Sequence, residues 1–394
     1  MKKVKMHFTI IIPNTHINDN INLPIGGIAN QLRELLECYK KYNNIKISII
    51  TKYSNFDIIP NNIEIYSIHK FKNNYFDSLY FLVKSFLILI AINKRYPISI
   101  MNIHHYSNLH LAPLITRILF KIPILMKLPI DFDSYLDEIF YSTNKSRMLN
   151  MINLFWFKIF KKIFLKKINF IRAINSKMYK DLLMLNYPED HILRIPNGIH
   201  IEKFKKLKKK THLDTYYGFV GRLIEFKNIK FLLEGFKMYF QNYYKNDKLF
   251  LFGKGSEEDY IRKFVRKNNL EKNIIMCGFV KDKNQIYSKI DVLVDPALAQ
   301  GFSNAILEAI LSNTFVIAAN GFGNKDIIKD NKTGLLFDPR DHYNFLDKLL
   351  FYKNCRDKEI IIENARNELS KNYNIYNVAE SIIEFLQKNL SNNK

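Results

Sequence analysis

The residues best equipped for chemistry lie in the second half of the chain. Phe219-Val220-Gly221-Arg222-Leu223 closes an apolar run, and Lys227-Asn228 opens a helical pattern just beyond it. Gly221 leaves the backbone open to a ligand, and Arg222 and Lys227 add two cations. Such a pair suits a departing diphosphate, because developing charge is where electrostatic stabilisation acts most strongly. A surface arginine and lysine at a helix start is the plainer reading of the same residues. Further on, Gln300-Gly301-Phe302-Ser303-Asn304 leads into Ala305-Ile306-Leu307-Glu308-Ala309. Gly301 permits a tight turn, Ser303 or Asn304 is placed to cap a helix, and the free N–H groups of a first turn attract phosphate. Glu308 follows about one turn later among Ile306, Leu307, Ala309 and Ile310. A carboxylate so surrounded is not fully exposed, and it needs hydrogen-bond donors such as the vicinal hydroxyls of a ribose. A helix-face glutamate in solvent is the alternative.

Other groups carry less information. Gly253-Lys254-Gly255 is a Gly-x-Gly turn that any strand-to-helix connection could use. Gly26-Gly27 follows Pro24 before a helical pattern near Asn30, and His104 ends the apolar run Asn102-Ile103. A histidine there can donate to a sugar hydroxyl or phosphate, or be purely structural. Asp131-Phe132-Asp133 has the form of a metal-binding Asp-x-Asp, but no histidine accompanies it and chance occurrence is the better reading, so no metal is expected. Cys38, Cys277 and Cys355 are too scattered for a disulfide framework or a zinc site and fit a reducing cytoplasm.

The elements that must position these groups alternate regularly. Strands are expected at Phe8–Ile12, Lys46–Thr51, Ile63–Tyr66, Ile100–Ile103, Ile122–Met126 and Asn169–Ala173. After the polar linker Lys203–Asp214 they resume at Tyr217–Val220, Lys248–Phe252, Ile274–Cys277, Asp291–Val294 and Thr314–Ala318. Helices fall at Asn228–Tyr243, Glu257–Lys267 and Asn304–Leu311. This is the pattern of βαβ units on parallel sheets. At 394 residues the chain exceeds what one core supports. The expectation is an α/β protein with two Rossmann-like, doubly wound parallel-sheet domains facing across a cleft, with ligands beyond the carboxyl ends of the strands.

With 47% hydrophobic and 25% charged residues the chain is globular, neither disordered nor fibrous. Its net charge of +23 favours anionic partners. Nucleic acid is not among those expected, since no helix-turn-helix, zinc-finger or RNA-binding signature is present. The basic start resembles a signal peptide, but Phe8–Ile12 is too short and stops at Pro13, so it reads as a buried strand. Tyr80–Ile92 is interrupted by Lys84 and falls short of the ~20 residues needed to span a bilayer, so no transmembrane helix is expected. Asn150–Arg172 has helically spaced Phe157, Phe160, Phe164 and Ile168, with lysines at 158, 161, 162, 166 and 167. It reads equally as an amphipathic helix on an anionic membrane surface or as a core helix with solvated lysines.

In order and spacing these pieces resemble the retaining, nucleotide-sugar-dependent glycosyltransferases of GT-B architecture, the family-four type. The resemblance runs through Pro24-Ile25-Gly26-Gly27-Ile28, Ile174-Asn175-Ser176, Ile195-Pro196-Asn197-Gly198-Ile199, Gly221-Arg222-Leu223 with Lys227-Asn228, and Gly278-Phe279-Val280. It closes with Gln300 to Ala309 and Asp326-Ile327-Ile328 with Gly334-Leu335-Leu336. It implies that Arg222 and Lys227 hold the donor diphosphate and Glu308 the ribose hydroxyls. Backbone near Gly301, Phe302, Ser303 and Asn304 would contact donor sugar or phosphate. Gly221, Gly26 and Gly27 would line the approach, and His104 would touch the sugar. It further implies no cofactor and no metal, the nucleotide sugar being a substrate, and a last helix crossing back to the first domain. The domains would be 1–203, 204–376 and the helix 377–394. The family's paired carboxylates, eight positions apart, would place an acid at 300, where this chain has Gln300; glutamine binds hydroxyls but offers a forming oxocarbenium-like centre no charge.

The resulting expectation is a retaining hexosyltransferase carrying sugar from a nucleotide diphosphate, UDP most of all, to a glycan or lipid-linked acceptor in bacterial surface polysaccharide synthesis. It would work in the cytoplasm, docked on the inner, anionic membrane face. Gln300 motivates one rival, a non-catalytic GT-B subunit that binds a sugar nucleotide or a partner enzyme. A nucleotide-sugar 2-epimerase is the other, and its need for acid/base carboxylates argues against it.

Overall fold

Long stretches of isoleucine, leucine and phenylalanine dictate strands that are covered on both faces, and the computed structural model shows two such sheets. It describes residues 6–12, 17–18, 27–52, 54–55, 62–69, 71, 74–104, 111–127, 165–204, 206–207, 213–298 and 301–391. The first sheet contains β1 (Met6–Ile12), β3 (Ile45–Thr51), β5 (Ile63–Ser67), β6 (Ile100–His104), β7 (Ile124–Lys127), β8 (Phe170–Ala173) and β9 (Ile192–Arg194). All pair in parallel, in the order β5-β3-β1-β6-β7-β8-β9. Two short strands, β2 (Ile17–Asn18) and β4 (Ser54–Asn55), pair separately.

The second sheet contains β10 (Tyr216–Val220), β11 (Lys248–Phe252), β12 (Ile274–Gly278), β13 (Val292–Asp295), β14 (Phe315–Ala319) and β15 (Leu335–Phe337). It too is wholly parallel, in the order β12-β11-β10-β13-β14-β15. Strands β9 and β15 were not expected. At three residues each they are too short to show a period of two.

Side-chain alternation divides each sheet between two cores. In β1, Phe8, Ile10 and Ile12 pack with α1 (Gly27–Tyr39), while Ile11 joins the core under α2 (Asn74–Arg95) and α3 (Leu111–Phe120). In the second sheet Tyr217, Phe219, Leu249 and Leu251 face α5 (Ile229–Asn242) and α6 (Glu258–Lys267), while Phe250, Phe252 and Leu293 face the other way. Each such side chain removed from water contributes roughly 1.5–3 kcal/mol. The remaining described helices are α4 (Ser176–Met184), α7 (Lys283–Lys289), α8 (Asn304–Leu311), α9 (Phe322–Ile327), α10 (His342–Asn354), α11 (Lys358–Asn372) and α12 (Ile375–Ser391).

The chain crosses between the two lobes twice, and the crossings are paired. Ile199 N donates to Tyr373 O at 2.8 Å and Ile375 N to Ile199 O at 3.1 Å. Gly198 permits this approach, since a Cβ there would stand 2.7 Å from Ile375 Cα. Helix α12 then packs on α1 through Val378, Ile382, Ile383 and Leu386.

Two expectations need correction. The helix around Tyr80–Ile92 is longer than that apolar run, and its Phe76–Arg95 stretch is long and apolar enough to cross a membrane. Lys84 does not interrupt it, because a long side chain can keep its charge in water from within a helix. The helical reading of Asn150–Arg172 fails at its end: Phe170–Arg172 belong to β8, with Ile168, Phe170 and Arg172 buried. Residues 150–164, Trp156 included, lie outside the described residues, as do 128–149 with Asp131-Phe132-Asp133.

Candidate functional site

The carboxyl ends of β10, β11, β12 and β13 bring four loops together. Gly221 N donates to Phe252 O at 3.0 Å, Leu223 N to Lys254 O at 2.9 Å, and Gly253 N to Gly278 O at 2.8 Å. The Gly-x-Gly turn is therefore built around its neighbour. A Cβ on Gly253, whose φ is +147°, would meet Gly221 O at 1.8 Å, and one on Gly255 would meet Leu223 O at 2.1 Å. These contacts fix the backbone that carries Arg222, which is exposed, and Lys227, which is half-buried. The Lys227 Cε lies 4.0 Å from where a Gly221 Cβ would be. Asn228, in the left-handed conformation at φ 55°, ties this segment to the next loop by donating to Pro296 O at 3.2 Å and Pro339 O at 3.3 Å.

Beyond β13 the chain turns into α8. Ser303 occupies the N-cap position without capping by its side chain. Its hydroxyl donates instead to Asp295 Oδ2 at 2.6 Å, because that buried carboxylate at the end of β13 also needs donors. Ala297 N supplies another at 3.3 Å. Among the described residues, the Ser303 side chain thus leaves the first-turn N–H groups of α8 uncapped. Glu308, one turn in, is buried as its apolar neighbours require. Its Oε2 accepts from Tyr287 Oη at 2.9 Å and lies 2.9 Å from Lys283 Nζ; both residues stand on α7. Burial, and next the charge of Glu308, push the Tyr287 phenol well above its ordinary pKa, so it remains a donor.

The first lobe meets this region directly. Asn175 follows β8, caps α4 by accepting from Met178 N at 2.8 Å, and donates to Gly301 O at 2.7 Å. Ser176 N donates to Asp326 Oδ2 at 2.5 Å. Gln31 of α1 donates to Gly198 O at 3.0 Å and Asn304 Oδ1 at 3.3 Å. Phe302 touches apolar cores of both lobes, and its ring lies 5.5 Å from that of Tyr373 at a tilt of 48°. The strand ends of the two sheets thus face each other across a cleft at 301–304.

Residues 200–372 match the family model described as glycosyl transferases group 1. This stretch, which is most of the second lobe, is similar to the group 1 glycosyltransferases. An uncharacterized glycosyltransferase of Methanocaldococcus jannaschii is 25% identical over 394 residues, covering 95% of this chain and 96% of that one. The Escherichia coli UDP-Gal:alpha-D-GlcNAc-diphosphoundecaprenol alpha-1,3-galactosyltransferase is 28% identical over 200 residues, 48% of this chain and about half (52%) of that protein's length. In fold, the structure of Anabaena HepE in complex with UDP and glucose superposes with a TM-score of 0.70 at 15% identity, over 97% of this chain and 100% of that one. The GT-B architecture expected from the sequence is the one observed.

Arg222, Lys227, Gly221, Gly301, Phe302 and Ser303 lie on the connections beyond the carboxyl ends of β10 and β13, which are neighbours in the sheet, and Asn304 opens α8. Glu308 lies one turn behind them. Gly27 begins α1, whereas Gly26 and Gln300 fall outside the described residues. His104 ends β6, is buried, and pairs in register with Lys127, itself in register with Arg172. Sequence reading missed Tyr287, Lys283, Asp295 and Gln31. The spacing of Lys283 and Tyr287, four apart on one helix face, was a usable signal, but their partner on α8 was not legible. Among the described residues no three His, Cys, Asp or Glu side chains gather to hold a metal ion.

Proposed function

We propose that this glycosyltransferase takes a UDP-sugar as donor and transfers the sugar, with retention, to a glycan or lipid-linked acceptor in bacterial surface polysaccharide synthesis. The observation that carries the reading is the bonded loop cluster that presents Arg222 and Lys227 beside the uncapped start of α8, with a buried carboxylate one turn behind. Diphosphate would lie between the two cations and the α8 N–H groups, and the ribose hydroxyls would donate to Glu308. Lys283 then releases or shares that carboxylate. The related galactosyltransferase and the HepE complex with UDP both favour uridine as the base.

Retention follows a front-face route. The acceptor hydroxyl attacks the sugar's anomeric carbon on the side from which diphosphate leaves. The bond from that carbon to the phosphate oxygen breaks with its electron pair, and the freed oxygen takes the acceptor's proton. Arg222 and Lys227 stabilise the charge as it forms, the largest contribution a site of this kind makes. Gln300 would bind a sugar hydroxyl without adding charge. The excess of +23 supports work on the inner, anionic face of the cell membrane, where a lipid-linked acceptor would be met.

A melting-temperature screen with UDP-, GDP- and ADP-sugars tests the donor. UDP-sugars alone should stabilise, by about 2.7 kcal/mol at a hundredfold excess over Kd. A larger shift with a GDP- or ADP-sugar replaces uridine. Arg222→Ala and Lys227→Ala should each lower turnover by about 100-fold or more; rates like the wild type in both would remove the leaving-group role.

A further inference from the structure

We infer that the outer face of α2 and α3 is a docking surface for an anionic lipid bilayer. This deepens the functional reading, on which it rests only for the lipid-linked acceptor. Phe76, Leu79, Val83 and Leu87 recur at helical spacing along α2 and are exposed, Phe76 by 60% and Leu79 by 54%. On α3, which packs alongside, Ile118 is 63% and Leu119 60% exposed, with Ile115 and Phe120 beside them. These two helices hold eight of the nineteen exposed large apolar side chains among the described residues. Single exposed apolar groups are ordinary; a contiguous set is not. Only 28% of the most apolar stretch of α2 is buried, although by length and composition it could cross a membrane. It does not lie free to insert as a span, because Phe81, Leu89 and Ile92 on its other side are core. Asp77, near its start, is buried against Lys52 at 2.6 Å.

Charge selects the occupant. From Ser78 to Ile130 the chain has no aspartate or glutamate. Lys84 is exposed within the apolar face. Both helices run antiparallel to their strands, so their carboxyl ends share one edge of the sheet. Lys94, Arg95, Arg117 and Lys121 gather there, and Lys166 and Lys167 precede β8 at the same edge. Arg117 Nε bonds the Lys167 carbonyl, which brings the two groups together. Apolar side chains rimmed by cations, of which Arg95 has an acid beside it, Glu64 Oε1 at 4.0 Å, match an interface of acyl chains beneath anionic headgroups. A helix lying flat in such an interface keeps its inner face on the protein core.

The test uses the full chain with vesicles of phosphatidylcholine alone and of phosphatidylcholine mixed equally with phosphatidylglycerol. The wild type should sediment with the anionic vesicles and much less with the neutral ones. Leu79→Glu combined with Ile118→Glu should weaken partitioning by roughly tenfold or more, and Lys84→Gln with Lys121→Gln should weaken it severalfold and make it less sensitive to salt. All four positions are exposed and lie away from the donor loops, so UDP binding and melting temperature should stay unchanged. Three results would overturn the assignment. One is equal sedimentation by wild type and variants; another is loss confined to neutralising Lys158, Lys161 and Lys162. The third is a wild-type dimer that Leu79→Glu dissociates, which would give the face to a second copy. Loss of UDP binding in the wild type would instead strike at the donor reading.

Discussion

Glu308 shows how a buried side chain is satisfied by its neighbours. A buried carboxylate is costly unless donors surround it, and Tyr287 and Lys283 supply them from α7. Tyr287→Phe removes a hydroxyl that also donates to Ala305 O at 3.1 Å. It should weaken uridine binding by about 5- to 30-fold, equivalent to ~1–2 kcal/mol, in calorimetric titration. Lys283 is nearly half exposed, so Lys283→Ala should change stability by less than about 1 kcal/mol in urea unfolding. Cys38 offers a different check. Burial first, then the nearby Glu34 charge, push its thiol up to about 12, so at pH 8 it is neither ionised nor accessible. Mass spectrometry after brief labelling should find Cys277 and Cys355 modified and Cys38 protected until the protein unfolds. The burial of Glu308 and the strand-end positions of Arg222 and Lys227 were legible because their residue types stood out against glycine or apolar surroundings. The Ser303 hydroxyl was not, since a local cap and a bond to Asp295 look identical along the chain.

At the scale of elements, the eleven strands foreseen all formed, because parallel strands buried on both faces leave near-continuous apolar runs. Their ends shifted by a residue or two, and the limits of α2 were missed because its apolar run is shorter than the helix. The Gly253-Lys254-Gly255 turn looked ordinary for a related reason. What makes it special is a neighbouring loop from another strand. Gly253→Ala would force a Cβ into Gly221 O. The variant should lose several kcal/mol of stability, on the order of 2–4, and bind UDP poorly even where it remains folded. Circular dichroism melts and titration on the same sample separate the two effects. A second anchor is Asp247, which accepts from Thr215 N at 2.7 Å and Tyr239 Oη at 2.7 Å and lies 2.8 Å from Lys353 Nζ. Lys353→Met strands that buried charge and should cost about 3–5 kcal/mol in denaturant unfolding.

Across the whole molecule, the two lobes are held by specific polar contacts rather than by the linker between them. Asn175 to Gly301 and Gln31 to Asn304 fix the 301–304 turn from the first lobe. Asn175→Ala should therefore lower transfer more than it lowers UDP affinity, since the donor loops belong to the second lobe. The two-domain division was readable from length and from the repeated alternation of strands and helices. The pairing of motifs was not: Asn175 with Gly301 and Ser176 with Asp326 are 126 and 150 residues apart. We propose that Lys227 and Arg222 bind phosphate while Glu308 binds ribose. It is tested most directly by calorimetric titration of wild type, Lys227→Ala and Glu308→Gln with UDP and with uridine. Lys227→Ala should weaken UDP by about tenfold or more, ~1.4 kcal/mol, and leave uridine unchanged, while Glu308→Gln should weaken both. Equal affinities for UDP in all three proteins would contradict it.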